Sequence, residues 1–141
     1  MKRIYHSHSL KDTAKISRVV ARQVGPEGAT ILIYGELGAG KTEFVRGLVE
    51  AVGGDVSEVS SPTFVLMQEY LAGRRVCHVD LYRLRVSEVL DFEPQILELA
   101  ETGAIVAIEW ADRLTHPLKD AIRIRIDDRG EEEKFNQGDT F

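Results

Sequence analysis

The chain has 141 residues, of which 43% are hydrophobic and 29% are charged, enough for one hydrophobic core and too few for two. Its net charge is −5 and its dense charge run, Glu131–Glu133, is acidic, so tight binding of nucleic acid by this chain alone is not expected. The single cysteine, Cys77, excludes an internal disulfide, and no apolar run approaches the ~20 residues of a membrane span. Since the N-terminus also lacks a signal-peptide pattern, the sequence predicts a cytoplasmic protein without membrane contact.

Turn residues divide the first part of the chain into a strand, a helix and a second strand. Lys2–Ser7 has the pattern of a short strand, and Ser9 with Asp12 three residues later resembles a capping box that opens a helix. This helix is expected to end near Val24. Ala29–Tyr34 is a continuous apolar run followed by glycine, which is typical of a buried strand in a parallel sheet.

The middle of the chain predicts a helix followed by a hairpin. The helix is expected to start near Lys41 and to end at Gly53. Ser60–Thr63 is polar and constrained by a proline, which favours a loop. Phe64–Leu71 and Arg75–Asp80 are strand-like runs separated by three residues, so we expect an antiparallel pair.

The last part of the chain predicts two helical segments and two strands. Helical patterns cover Ser87–Leu90 and, separately, Pro94–Glu101. Ala104–Trp110 is an apolar run that predicts a second buried strand. Ala121–Asp127 alternates isoleucine with arginine, which indicates a half-exposed strand near an edge of the sheet.

Gly35–Thr42 matches the phosphate-binding pattern G-x-x-x-x-G-K-[ST] completely and lies between a predicted strand and a predicted helix. The glycines allow backbone N–H groups to converge on phosphate oxygens, and the helix N-terminus adds the positive end of its dipole. Lys41 is expected to reach the β- and γ-phosphates, and Thr42 to bind magnesium through its hydroxyl. The predicted nucleotide-binding residues of this segment are Gly35, Gly38, Ala39, Gly40, Lys41, Thr42 and the adjacent Glu43.

These elements predict an α/β fold. We expect a single P-loop NTPase domain over residues 1–130, with a mixed, mainly parallel sheet flanked by helices and one antiparallel hairpin. An acidic and mobile C-terminal tail is expected over residues 131–141.

Two acidic residues that end predicted strands are candidates for the metal and for the attacking water. Ligands of open α/β sheets bind beyond the carboxyl ends of the strands, so Asp80 and Glu109 reach the P-loop if both strands run parallel to Ala29–Tyr34. Their spacing does not rank them. Asp80 has the shorter side chain and is suited to bind magnesium, whereas Glu109 has the longer side chain and can orient the attacking water molecule.

Two further residues carry alternative interpretations, and two others are assigned to packing. Trp110, the only tryptophan, either packs in the core or faces the nucleotide or a partner. Thr63 either senses the γ-phosphate or belongs to an ordinary turn. His78 and Cys77 are interpreted as packing residues.

Four motifs in this order and spacing resemble the TsaE (YjeE) family, the small bacterial ATPases of tRNA threonylcarbamoyladenosine synthesis. The motifs are GELGAGKT at Gly35–Thr42, SPTF at Ser61–Phe64, HVDLYR at His78–Arg83 and IEWAD at Ile108–Asp112. The similarity extends from the predicted helix start at Ser9 to about Asp127. Family members often have a second hydroxyl where this chain has Glu43, and the orientation of Glu43 stays open.

The resemblance implies a P-loop fold with an unusual mixed sheet, ATP and Mg²⁺ as ligands, and weak hydrolysis that depends on a TsaB–TsaD pair. ATP turnover would reset this tRNA-modifying complex, and direct tight tRNA binding is not expected of the chain itself. By motif, Lys41 and Thr42 are the phosphate and magnesium residues, while Asp80 is the magnesium acid. Glu109 is the catalytic carboxylate, and Thr63 and Trp110 surround the site.

Two other functions compete with a partner-dependent ATPase. Small-molecule kinases share the P-loop, but they usually need a lid or substrate domain for which this chain has no spare segment. A nucleotide-gated binding module would use ATP to order Ser60–Thr63 and would hardly turn it over. A GTPase is disfavoured because no N-K-x-D sequence follows the P-loop.

Overall fold

A computed structural model of the chain describes residues 3–35, 40–54, 67–71, 73–116, 118 and 120–126. Within these residues, six strands form one sheet with three helices against it. The strands are β1 (Arg3–Ser7), β2 (Ala29–Gly35), β3 (Met67–Leu71), β4 (Arg75–Asp80), β5 (Ile105–Glu109) and β6 (Ile122–Ile126). The helices are α1 (Leu10–Gln23), α2 (Lys41–Ala51) and α3 (Val86–Glu101), and Ala111–Arg113 forms a short 3-10 turn.

The strand order across the sheet is β1-β6-β2-β5-β4-β3. All neighbouring pairs are parallel except β3 and β4, which form the antiparallel pair expected from the sequence. The predicted α/β class, with a mainly parallel sheet and one hairpin, is therefore confirmed. The alternating strand β6 lies second from the edge, between β1 and β2, so its position near an edge is also as predicted.

Two apolar layers hold the helices on opposite faces of the sheet. Helices α1 and α2 share one core with the inward residues of the central strands, such as Ile33, Val76 and Ala107. Helix α3 covers the other face, against residues such as Val79 and Ile108. The strands β2 and β5 are buried on both faces, which explains why they read as continuous apolar runs.

Helix α1 begins where its sequence pattern predicts. The Ser9 hydroxyl accepts a hydrogen bond from the Asp12 N–H at 3.1 Å, which satisfies one donor of the first turn. The Asp12 carboxylate accepts from the His8 N–H at 3.4 Å instead of returning to the Ser9 N–H. The capping box is thus formed in one direction only.

The two helical segments predicted around Pro94 are one continuous helix, α3, so the predicted break is wrong. A proline at position 94 lacks the N–H that would bond to the carbonyl of Leu90. Pro94 is exposed, however, while Val89, Glu93 and Ile96 on the same helix are buried against the sheet. Tertiary packing on the buried side therefore carries the helix through the proline.

Glu93 connects α3 by hydrogen bonds to the segment that follows β5. Its carboxylate accepts hydrogen bonds from the Thr115 N–H at 2.6 Å and the Thr115 hydroxyl at 2.8 Å, and His116 Nδ1 lies 2.9 Å away. Burial opposes ionisation of this group, but the hydrogen bonds from Thr115 and His116 outweigh burial and hold the pKa of Glu93 below its usual value.

Glu93→Gln is expected to lower the free energy of unfolding by about 1–2 kcal/mol at pH 7, because charge-assisted hydrogen bonds are lost. A carboxyl group with a lowered pKa in the folded state stabilises the fold above its unfolded pKa and loses this contribution as pH falls through the folded pKa. The difference from wild type should therefore shrink below about pH 4.5. Urea unfolding at several pH values measures it, with the exposed Glu98→Gln on the same helix as the control; a difference independent of pH would contradict the assignment.

Several sequence predictions lie outside the described residues. These are the loop Ser60–Thr63, the first three residues of the predicted strand Phe64–Leu71, and the tail over residues 131–141. In the part of the chain that the structure does describe, no helix is long and apolar enough to cross a membrane.

Candidate functional site

The candidate site lies at the carboxyl edge of the central strands. Strands β2, β5 and β4 are parallel neighbours, so their final residues meet at this edge. Glu109 is paired with Ile33 of β2 on one side and with Asp80 of β4 on the other. Strands β4 and β5 therefore run parallel to β2, which is the condition stated above for both acids to reach the P-loop edge.

The two described glycines of the P-loop, Gly35 and Gly40, have backbone conformations that favour glycine. Gly35 has φ +145°, and a Cβ there would lie 2.4 Å from the carbonyl oxygen of Ile126 on the neighbouring strand. Gly40 has φ +92° and caps the N-terminus of α2. Side chains rarely adopt either conformation, so these positions need glycine. Gly38 and Ala39 lie outside the described residues.

Lys41, the first residue of α2, is buried with only 4% of its surface exposed. Its Nζ donates a hydrogen bond to the Gly35 carbonyl oxygen at 3.0 Å, which links the start of α2 to the first residue of the P-loop motif. The same Nζ lies 4.6 Å from the centroid of the Trp110 ring, a distance at which a cation is attracted to an aromatic face. Thr42 follows in the first turn of α2 and is half-buried.

Trp110 connects the P-loop lysine with an aromatic and cationic stack. Its backbone is left-handed, with φ +58°, directly after the last residue of β5. The Trp110 and Tyr82 ring centroids lie 4.7 Å apart, and the Arg113 guanidinium lies 5.7 Å from the Tyr82 centroid. Trp110 thus packs partly on the α3 core and also faces Lys41, while a role that faces the nucleotide or a partner stays a prediction.

Glu109 is buried and its Oε2 forms a hydrogen bond with Nε2 of His78, which is fully buried. The interpretation of His78 as a packing residue missed this partner. The sequence contained a signal for a role at the site. His78 is two residues before Asp80, and residues two apart on a strand share a face, so both side chains lie on the same face of the sheet. The register that brings β4 beside β5 could not be read from the sequence.

Asp80 is half-buried at the end of β4. Its Oδ1 accepts a hydrogen bond from the Tyr82 N–H at 2.9 Å, which orients the carboxylate at the strand end. Tyr82 therefore touches the site twice, through its backbone at Asp80 and through its ring at Trp110. No sequence pattern predicts a role for Tyr82. Thr63, the remaining predicted residue, lies outside the described residues.

Comparison with known proteins identifies the chain. The family model described as "Threonylcarbamoyl adenosine biosynthesis protein TsaE" matches residues 7–136. The chain belongs to the TsaE family. The family resemblance drawn from the four motifs is therefore confirmed.

Two bacterial relatives named "tRNA threonylcarbamoyladenosine biosynthesis protein TsaE" show the extent of the similarity. The protein of Rickettsia conorii is 35% identical over 116 residues, which cover 79% of this chain and 62% of the relative. That of Nostoc sp. is 43% identical over 103 residues, which cover 70% of this chain and 61% of the relative. The chain thus spans less than two thirds of the length of these two TsaE proteins.

A solved structure shares the fold. Bacillus subtilis YdiB aligns with a TM-score of 0.61 and 23% sequence identity, over 93% of this chain and 80% of that chain. This likeness shows the architecture of the TsaE-family chain and nothing about its ligands.

Glu43 follows the P-loop threonine, and its orientation was left open by the sequence. Its carboxylate forms an ion pair with Arg46 one turn along α2, and both side chains are more than one third exposed. The acid is therefore turned along the helix surface toward a cation. It also lies in the first turn of α2, where a negative charge complements the helix dipole.

Glu43→Thr is expected to tighten Mg–ATP binding up to about fivefold, because it removes a negative charge one residue from Thr42 and introduces a hydroxyl. Calorimetric titration with ATP and magnesium measures the change. Glu43→Gln separates the two causes, since it removes the charge without adding a hydroxyl. Weaker binding by the threonine variant would show that the carboxylate assists the nucleotide site.

Proposed function

We propose that the chain is a magnesium-dependent ATPase that supports tRNA threonylcarbamoyladenosine formation by binding and resetting a TsaB–TsaD-type complex. One observation carries the ATPase part of the proposal. The buried P-loop lysine, Lys41, lies at the edge of the sheet where Glu109 and Asp80 end adjacent parallel strands. The pathway follows from membership of the TsaE family.

The phosphates of ATP would bind at the N-terminus of α2. The left-handed Gly40 and the first turn of this helix present backbone N–H groups at its positive end. Lys41 adds the positive charge that the β- and γ-phosphates require. Two of its present partners, the Gly35 carbonyl oxygen and the Trp110 ring, are weaker partners for an ammonium group than phosphate oxygens are. Lys41 is thus placed to exchange them for the nucleotide.

The oxygen donors at this edge suit a magnesium ion. Mg²⁺ prefers hard oxygen ligands and is usually held by one or two protein side chains together with substrate phosphates. Thr42 supplies a hydroxyl at the start of α2, and Asp80 supplies a carboxylate that is oriented by the Tyr82 N–H. We assign these two residues to the ion, which would neutralise phosphate charge when bound.

Glu109 is the proposed catalytic carboxylate. Its burial at the strand end removes it from bulk water, and the hydrogen bond from His78 restricts its orientation. A carboxylate held in this way can accept a hydrogen bond from the attacking water and align it with the γ-phosphate. The ring of Trp110, beside Lys41, would border the same site.

The stack of Trp110, Tyr82 and Arg113 is the proposed route by which a partner senses the site. Tyr82 and Arg113 are exposed, whereas Trp110 is partly buried and contacts Lys41. A protein that contacts the exposed members of the stack would therefore alter the surroundings of the phosphate lysine. This connection supports hydrolysis that is weak in the isolated chain and stimulated by the complex.

Reconstitution tests the proposed function. A TsaB–TsaD-type complex is supplied with unmodified tRNA, its threonylcarbamoyl donor and Mg–ATP, with or without the chain, and the modified adenosine is measured by mass spectrometry. We expect repeated turnover only when the chain and ATP are both present. Equal product without the chain, or with the non-hydrolysable analogue of ATP, would contradict the resetting role.

A further inference from the structure

The pair formed by His78 and Glu109 joins two buried polar side chains across neighbouring strands. The His78 side chain has 0% and the Glu109 side chain 4% of its surface exposed. Their shared face of the sheet is the one that packs on α1 and α2, because Val76 and Ala107, each two residues before them, belong to that core. The pair therefore lies under the helix that carries Lys41 and Thr42.

The hydrogen-bond pattern assigns the proton of the imidazole. His78 Nε2 faces the carboxylate, while Nδ1 is buried and has no hydrogen-bond partner among the described residues. A neutral histidine has one N–H donor and one acceptor nitrogen. A buried donor without a partner is rarer in proteins than an unsatisfied acceptor. The proton consequently belongs on Nε2, where it is donated to Glu109.

The two carboxylate oxygens of Glu109 therefore have different surroundings. Oε2 is occupied by the imidazole, and Oε1 has no hydrogen-bond partner among the described residues. The single contact through Nε2 orients the carboxylate by one of its oxygens, whereas the guanidinium of an arginine could bind both oxygens at once. The second oxygen keeps its capacity to accept a proton or a hydrogen bond from water.

We propose that His78 is a positioning residue that fixes the Glu109 carboxylate through Oε2 and leaves Oε1 for the attacking water. The inference rests on the proposed hydrolytic function of Glu109. Partners of this kind hold a reactive group in its productive orientation, and their loss in metalloenzymes typically lowers activity or affinity by 10–100-fold. His78 itself does not contact the nucleotide in this scheme.

Two polar substitutions at His78 separate positioning from packing. The amide nitrogen of glutamine extends as far along the side chain as the imidazole Nε2, so His78→Gln keeps a donor for Glu109. The amide of asparagine is shorter and corresponds to Nδ1, so His78→Asn loses the donor while remaining polar. We expect His78→Asn to lower kcat for ATP by about 10–100-fold, with the nucleotide Kd within about twofold of wild type. His78→Gln should recover most of the rate.

A double-mutant cycle with Glu109→Gln provides the decisive comparison. If His78 acts only through Glu109, His78→Asn should cause no further loss of turnover in the Glu109→Gln background. Thermal unfolding of every variant shows whether the fold is kept. If His78→Asn lowers turnover equally in both backgrounds, or leaves turnover unchanged in the wild-type background, the positioning role is overturned.

Failure of the inference and failure of the proposed function give different results. If the wild-type chain hydrolyses no ATP, even with a TsaB–TsaD-type complex, both are overturned. If hydrolysis is lost in Glu109→Gln but unaffected in His78→Asn, only the role of His78 is overturned. Nitrogen-15 NMR of the imidazole in the nucleotide-free protein adds a reading that needs no turnover: the Nε2–H tautomer is expected, and an Nδ1–H tautomer would overturn the proposal.

Discussion

Replacement of Lys41 by alanine is expected to weaken Mg–ATP binding by about 100-fold or more. Lys41 supplies the buried ammonium group at the start of α2, and charge-assisted hydrogen bonds to phosphate contribute about 1.5–3 kcal/mol each. No backbone N–H can replace this charge. The site would keep its helix N-terminus but would lose its strongest electrostatic attraction for the β- and γ-phosphates.

Calorimetric titration is the suitable measurement for Lys41→Ala. Tryptophan fluorescence would mislead, because the substitution also removes the cation from the Trp110 ring. Lys15→Ala serves as the matched control, since Lys15 is an exposed lysine on α1 and its loss changes the net charge equally. Unchanged affinity of Lys41→Ala for ATP would refute the phosphate-binding assignment of the P-loop.

Replacement of Glu109 by glutamine is expected to preserve ATP binding and to lower partner-stimulated hydrolysis by about 100-fold or more. Glutamine keeps the shape of the side chain and an oxygen that can accept from His78, but it cannot act as a base. General acid–base groups typically contribute 10²–10⁴-fold to a rate. The kcat should fall with little change in nucleotide affinity, the signature of an interaction made in the transition state.

Single-turnover phosphate release measures the effect of Glu109→Gln. Glu101→Gln, at the exposed end of α3, is the control for the loss of one negative charge. Asp80→Asn should give a different pattern, with a higher magnesium requirement. If Glu109→Gln turns over as wild type does, the catalytic role moves to Asp80.

Local patterns predicted most of the fold. Runs of apolar residues gave the buried strands β2 and β5, and the Ser9 cap and Gly53 marked the ends of helices α1 and α2. These features depend on neighbours in the sequence, so they can be read from it. The predicted separation of Ser87–Leu90 from Pro94–Glu101 was wrong because packing against the sheet, a non-local contribution, keeps α3 continuous through Pro94.

The sequence predicts which residues form the candidate site but not the contacts between their side chains. The P-loop motif identifies Lys41, and the predicted strand ends identify Asp80 and Glu109, because each of these residues belongs to a short sequence pattern. The contact of Lys41 with Trp110 depends on a left-handed turn after β5, for which a tryptophan gives no signal. The bond between His78 and Glu109 depends on the register of two strands that are distant in sequence.

The rate of magnesium-dependent ATP hydrolysis by the chain, measured with and without a TsaB–TsaD-type complex, tests the central claim most directly. The proposed function requires slow hydrolysis by the chain alone, strong stimulation by the complex, and inorganic phosphate as the only phosphoryl product. Turnover that the complex does not change, or transfer of the phosphoryl group to another molecule, would contradict a partner-driven ATPase.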